Sequence, residues 1–263
     1  MLITISTLLA NAQLRLNKVK PYWTCLTMNS LKILIIVTSH AVMGNSAEPT
    51  GLWLEELTTP YYAFVDAGTS VTVASIEGGA IPIDPRSKKP VGENPESVER
   101  YLQDESVVAA TINTPAVDEI NPNEYDAVFL PGGHGTMWDL PNSQPLANII
   151  SNAYGNDKVI AAVCHGPAGL IGATKPDGSP LVDGLQVSSF TNAEEDAVGL
   201  SNTVPFMLET KLRELGANFQ SVDNFEPFAI KSGNLITGQN PGSSLLVANK
   251  VLEALQVKVP VEK

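Results

Sequence analysis

The stretch VIAAVCHGPAGL, residues 159–170, sets a cysteine and a histidine side by side at the end of an apolar, β-type run. The chain has only two cysteines and three histidines, and Cys164 and His165 bring one of each together. A thiol next to an imidazole can act as a nucleophile next to a proton carrier. The ordinary reading is blander, since a lone cysteine after a strand usually packs as a small hydrophobe. Local features favour chemistry. AVCHG has the small-x-nucleophile-x-small layout of a nucleophile elbow, in which small flanking residues permit a tight, strained turn that exposes the nucleophile. A helix starting there would aim its amides and its positive dipole end at the sulfur and lower the thiol pKa. The amide of His165 would face an oxyanion on the substrate, and its ring could take or deliver a proton.

A second turn follows another apolar run in FLPGGHGTMWDLP, residues 129–141. Gly132 and Gly133 permit close backbone approach, and their amides could complete an oxyanion hole. For His134 two readings stay open: it lines the pocket, or it caps the helix that follows. The three histidines show no H-x-x-x-H spacing and the cysteines no C-x-x-C spacing, so no metal site and no cofactor are expected.

Elements that alternate in type must position these turns. KILIIVTS (32–39), SVTVASI (70–76), YDAVFLPGG (125–133), KVIAAVC (158–164), LQVSSFT (185–191) and NLITGQ (234–239) read as strands. GLWLEELTTPYYAFVDAG (51–68), SVERYLQDESVVAATINT (97–114), QPLANIISNAYGND (144–157), VPFMLETKLRELGA (204–217) and PGSSLLVANKVLEALQ (241–256) read as helices, with a short one in HGPAGLIGAT (165–174). Residues 78–95, rich in Gly and Pro, read as loop. This alternation predicts an α/β fold with a mainly parallel sheet and helices on both faces. Reactive groups in such sheets lie beyond the carboxyl ends of strands, where both conspicuous turns fall.

The net charge of −12 opposes nucleic-acid binding, which needs a basic footprint. Two cysteines give no disulfide framework, and a cytoplasmic setting is expected. Residues 1–27 do not join the alternation. Their Arg15, Lys18 and Lys20 follow the apolar start, the wrong order for a secretory signal, and the apolar part is too short to span a membrane. They are expected to be a disordered or non-native extension carrying Cys25, with one α/β domain over residues 28–263.

Taken together, AAVCHGPAGL, LPGGHGTMWDLP, TGLWLEELTTPYYAFVDAG, GGAIPIDPRS, the segment from Phe190 to Ala217 and LITGQNPGSS resemble the ThiJ/PfpI superfamily. The likeness is to its branch of glyoxalase III-type heat-shock chaperones and runs from about Lys32 to the last helix. It implies a flavodoxin-like three-layer α/β/α sandwich and a homodimer. It makes Cys164 the catalytic cysteine and His165 its histidine. Counting back from the end of the first helix puts an acidic partner of the sulfur at Glu56. A third acidic residue, holding the histidine, falls on Glu195, with Glu194 as the alternative. The oxyanion amides would be those of Gly133 and His165. The helix pattern bears on Glu56 independently: Leu52, Glu56 and Thr59 share a face by three-to-four spacing, and a carboxyl on an apolar face needs a partner.

The leading expectation is a glutathione-independent glyoxalase. It would convert methylglyoxal and similar 2-oxoaldehydes to 2-hydroxy acids such as D-lactate through a cysteine hemithioacetal, and could repair early glycation adducts by the same first step. An amidase or peptidase could use the same elbow. A glutamine amidotransferase is disfavoured, because that class needs a late H-x-E motif and no histidine follows His165. A holdase chaperone or oxidative-stress protein would not need the thiol as a nucleophile.

Overall fold

The computed structural model of the chain describes residues 30–257. The expectations for residues 1–27 and for Cys25 lie outside the described residues. The fold is flavodoxin-like α/β. Its strands are β1 (Lys32–Val37), β2 (Ser70–Ser75), β3 (Ala127–Leu130), β4 (Val159–Val163), β5 (Gln186–Val187), β6 (Asn218–Phe219), β7 (Ala229–Ser232) and β8 (Leu235–Gly238). A six-stranded sheet runs in the order β2-β1-β3-β4-β8-β7. All its pairings are parallel except β7 with β8.

The central strands carry apolar residues at every position because both faces are covered. Ile33, Ile35, Val37, Ala161 and Val163 pack on one side against helices α1 (Leu54–Asp66) and α8 (Ser244–Ala254). Leu34, Ile36, Ile160 and Ala162 pack on the other side. Helices α5 (Gln144–Gly155) and α7 (Leu208–Glu214) lie there. The apolar positions of α5 show why it is a helix: Leu146, Ile149, Ile150 and Ala153 follow helical spacing and are buried, and the Ser143 hydroxyl caps its start by accepting from the Leu146 amide. Helices α2 (Glu96–Gln103) and α3 (Glu105–Ile112) pack Val98, Tyr101 and Val107 onto Leu54 and Tyr62 of α1. The short α4 (Thr136–Asp139) follows β3, and α6 (Asn192–Ala197) precedes α7. Among the described residues no helix is long and apolar enough to cross a membrane.

The short helix expected after Cys164 is present, as a 3-10 helix over Gly166–Leu170. Pro167 and the glycines around it do not sustain an α-helical ladder there. Several expectations are corrected. LQVSSFT contributes only β5, which pairs with β6 in a separate two-stranded sheet. The expected single helix over residues 97–114 is two, broken at Asp104, whose side chain caps the second by accepting from the Val107 amide. The antiparallel β7 was not expected; it joins β8 through Gly233-Asn234. Leu52 is not on the helix face with Glu56; it precedes α1 and bridges to Ile83.

Candidate active site

The carboxyl ends of β3 and β4, adjacent in the sheet, deliver the two turns to one place. Cys164 has φ +59°, the left-handed region that costs a non-glycine residue about 1–3 kcal/mol. Its surroundings hold it there: its amide donates to the Gly238 carbonyl (3.0 Å) and its carbonyl accepts from the Phe190 amide (2.9 Å). This is the strained turn of a nucleophile elbow. Beside it, Gly133 adopts φ +99°. At Gly132 a side chain would run into the His165 amide and the Glu56 carboxyl. Glycine there is a condition of bringing the two turns together.

Two groups flank the sulfur. The His165 Nδ1 lies 3.2 Å from Sγ. Its Nε2 lies 2.8 Å from Oε2 of Glu195. On another side is Glu56, wholly buried at the start of α1. Its Oε2 accepts from the Gly132 amide at 2.7 Å, and its Oε1 is buried without a hydrogen-bond partner. Burial raises the Glu56 carboxyl to about 8, against the pull of the Gly132 amide. Burial first, and the Glu56 charge second, push the Cys164 thiol up, while the His165 amide pulls the other way. The expectation that a helix N-terminus lowers this thiol pKa is therefore corrected: the turn is too short to supply the dipole, and the Glu56 charge opposes thiolate. Glu56 and Cys164 titrate as a coupled pair.

Of the two candidates for the third acidic residue, only Glu195 reaches His165. It also accepts from His134, whose Nε2 is 2.9 Å from Oε1. Burial would raise the Glu195 carboxyl, but hydrogen bonds from His134 and His165 outweigh it and hold it at about 2. Glu194 is fully buried elsewhere in the network. Its oxygens accept from the Thr191 amide and hydroxyl, the Phe225 amide, and the side-chain amides of Gln239 and Asn240. Glu194→Ala would strand these donors in the interior. The expected cost is about 3 kcal/mol or more, read as a lower urea midpoint. A loss below about 1 kcal/mol would mean that water replaces the carboxyl.

His134 lines the pocket, which decides between its two readings, and it leads to a residue the sequence analysis missed. The Arg86 Nη2 is 3.3 Å from the His134 Nδ1. Arg86 is itself held by the buried Asp84, its Nε 2.9 Å from Oδ1. A guanidinium can only donate, so Nδ1 must accept, and the His134 proton sits on Nε2, facing Glu195. Burial, followed by the nearby His165, keeps His134 neutral by lowering its pKa to about 4. The donor atoms of His134, His165 and Glu195 all lie within 4.8 Å of one another, close enough for a metal ion. Arg86 opposes that use: a metal on Nε2 would move the His134 proton to Nδ1, against a donor.

A pocket of about 490 Å³ opens over the sulfur, with Gly133, His134, Cys164 and His165 among its lining residues. Among the described residues the Gly133 amide has no protein acceptor, so it is available to an oxyanion.

The chain is similar to known proteins over most of its length. The profile of the DJ-1/PfpI family matches residues 50–254. The glutathione-independent glyoxalase of Saccharomyces cerevisiae is 31% identical over 235 residues, covering 86% of this chain and 98% of that protein. The crystal structure of glyoxalase III from Candida albicans superposes with a TM-score of 0.80 at 29% identity, covering 86% and 98% of the two chains. The structure of the 24 kDa rapid encystment protein of Francisella tularensis superposes with a TM-score of 0.82 at 39% identity, covering 86% and 99%.

Proposed function

The chain belongs to the DJ-1/PfpI family, and we propose that, like the relatives named for that activity, it is a glutathione-independent glyoxalase that converts methylglyoxal and similar 2-oxoaldehydes to 2-hydroxy acids such as D-lactate. The observation that carries this reading is the pairing around the sulfur. The wholly buried carboxyl of Glu56, with Oε1 left without a hydrogen-bond partner, lies on one side of Cys164, and an imidazole held by Glu195 lies on the other.

The Nδ1 of His165 takes the thiol proton as the Cys164 sulfur adds to the aldehyde carbon, and the new oxyanion, held by the amides of Gly133 and His165, receives that proton to give the hemithioacetal. Glu56, in its ionised form, takes the proton on that carbon, leaving an enediol attached to sulfur. Glu56 moves that proton to the neighbouring carbon, which produces a thioester of a 2-hydroxy acid. Water, deprotonated by His165, hydrolyses the thioester and frees the thiol. One carbon is oxidised and its neighbour reduced within the same molecule, so the balance needs water and no outside oxidant or reductant. Glu195 is a positioning residue for His165, and His134 holds Glu195 in turn. The family likeness extends the reading to a homodimer.

Acyl transfer by an amidase or peptidase would use the same elbow and the same His165–Glu195 pair. It leaves the buried carboxyl of Glu56 beside the sulfur without a role, and that favours the glyoxalase. The test is incubation with methylglyoxal in the absence of glutathione, with the lactate separated by chirality. A single enantiomer, formed faster than the spontaneous reaction, is expected. Racemic lactate at the spontaneous rate, together with hydrolysis of a peptide anilide, would transfer the site to the amidases.

A further inference from the structure

We infer that this pocket selects 2-oxoaldehydes with a bulky, apolar side chain, aryl or branched alkyl, over methylglyoxal. The inference rests on the glyoxalase reading above.

The pocket combines polar and apolar lining. Its polar groups, the Gly133 amide, His134 and His165, gather at Cys164, where a dicarbonyl would react. The lining also includes Trp53, Phe190, Val198, Phe225 and Pro241, of which Val198 and Phe225 are open to solvent. Phe225 is 50% exposed and Val198 43%. Apolar surface left open beside a reactive thiol gains free energy when an apolar group covers it. The volume of about 490 Å³ admits a phenyl or isobutyl group, which covers more of this apolar lining than a methyl does.

Phe225 is held in place. It adopts φ +66°, and its amide donates to Oε1 of the buried Glu194 at 2.8 Å. Its ring centroid is 6.3 Å from that of Phe190, which stacks on His165 at 4.5 Å. An aryl group on the substrate would extend this series of rings from the reacting end outward.

Charge argues for an uncharged side chain. Arg86, the cation in the lining, is paired with Asp84, and Glu195 lies behind it as an anion. That balance leaves no net positive field for a carboxylate or phosphate tail.

The test compares kcat/KM for phenylglyoxal and methylglyoxal in the wild type, Phe225→Gly and Phe225→Leu. Phenylglyoxal also modifies arginine, so mandelate formation is measured rather than loss of aldehyde. Glycine accepts the positive φ and keeps the amide to Glu194, so the ring alone is removed. The wild type is expected to prefer phenylglyoxal by about tenfold or more. In Phe225→Gly the ratio of the two kcat/KM values should fall about tenfold, mainly through the KM for phenylglyoxal, with Leu intermediate. A wild type that makes lactate but prefers methylglyoxal overturns the inference and leaves the glyoxalase reading standing. So does a ratio unchanged in Phe225→Gly. If neither hydroxy acid forms, both readings fall together.

Discussion

Cys164→Ala is expected to abolish hydroxy-acid formation, by about 10⁴-fold or more, while the chain stays folded. The covalent route begins with the sulfur, and no other nucleophile among the described residues occupies its place in the elbow. Alanine keeps the small side chain and the same backbone hydrogen bonds to Gly238 and Phe190. It inherits rather than adds to the strain of φ +59°. Serine is also expected to fail, because its hydroxyl holds its proton far more tightly than a thiol. The chaperone alternative separates here: suppression of a client's aggregation would survive Cys164→Ala. Lactate formation that survived with its chirality intact would remove the thiol from the mechanism.

How much of this was legible in the sequence differs from residue to residue. The elbow was, because small residues on both sides of Cys164 at a strand end permit a tight turn that a merely packed cysteine does not require. Glu195 was preferred to Glu194 on the register of the resemblance alone. Adjacent on one short helix and both buried, they differ only in what they meet: His165 and His134 for one, the Phe225 and Asn240 donors for the other. Arg86 was missed because Asp-Pro-Arg in a Gly- and Pro-rich segment looks like ordinary loop chemistry. Its effect on the His134 proton exists only after folding brings residues 86 and 134 together. The antiparallel β7 did leave a signal. Gly233-Asn234 between two short runs is a hairpin pattern, and Gly233 supplies the φ of +63° that such a turn asks for. The thiol pKa failed for another reason. The dipole argument treats the sulfur as if it faced only the turn that follows it, whereas burial first, and then the charge of a side chain from α1, more than a hundred residues earlier in the chain, push the thiol up.

Glu56→Gln is expected to lower turnover by about 10²–10⁴-fold in a folded protein. Gln has nearly the same shape and keeps the hydrogen bond to Gly132, but it cannot hold and release the proton. Two further readings follow from the raised pKa. The Glu56 charge opposes the Cys164 thiolate, so its removal should move iodoacetamide labelling of Cys164 to lower pH even as turnover falls. The thiol thus becomes easier to ionise and the enzyme slower, a combination that simple damage to the site would not produce. The second reading is stability. Folded Glu56 keeps its proton to about 8, whereas the unfolded chain releases it near 4.5. Between those values the folded state binds the extra proton, and wild-type stability declines as pH rises through the window. The Gln variant lacks that contribution, so its urea midpoint should fall less between about pH 5 and about pH 8. Glu55→Gln is the control. It lies about 100° round the helix, half-buried, and lines a separate surface groove with Thr59 and Arg100. Near-wild-type turnover is expected there. A large loss at Glu55 with none at Glu56 would take the proton transfer away from the buried carboxyl and leave the raised pKa of Glu56 without a catalytic purpose.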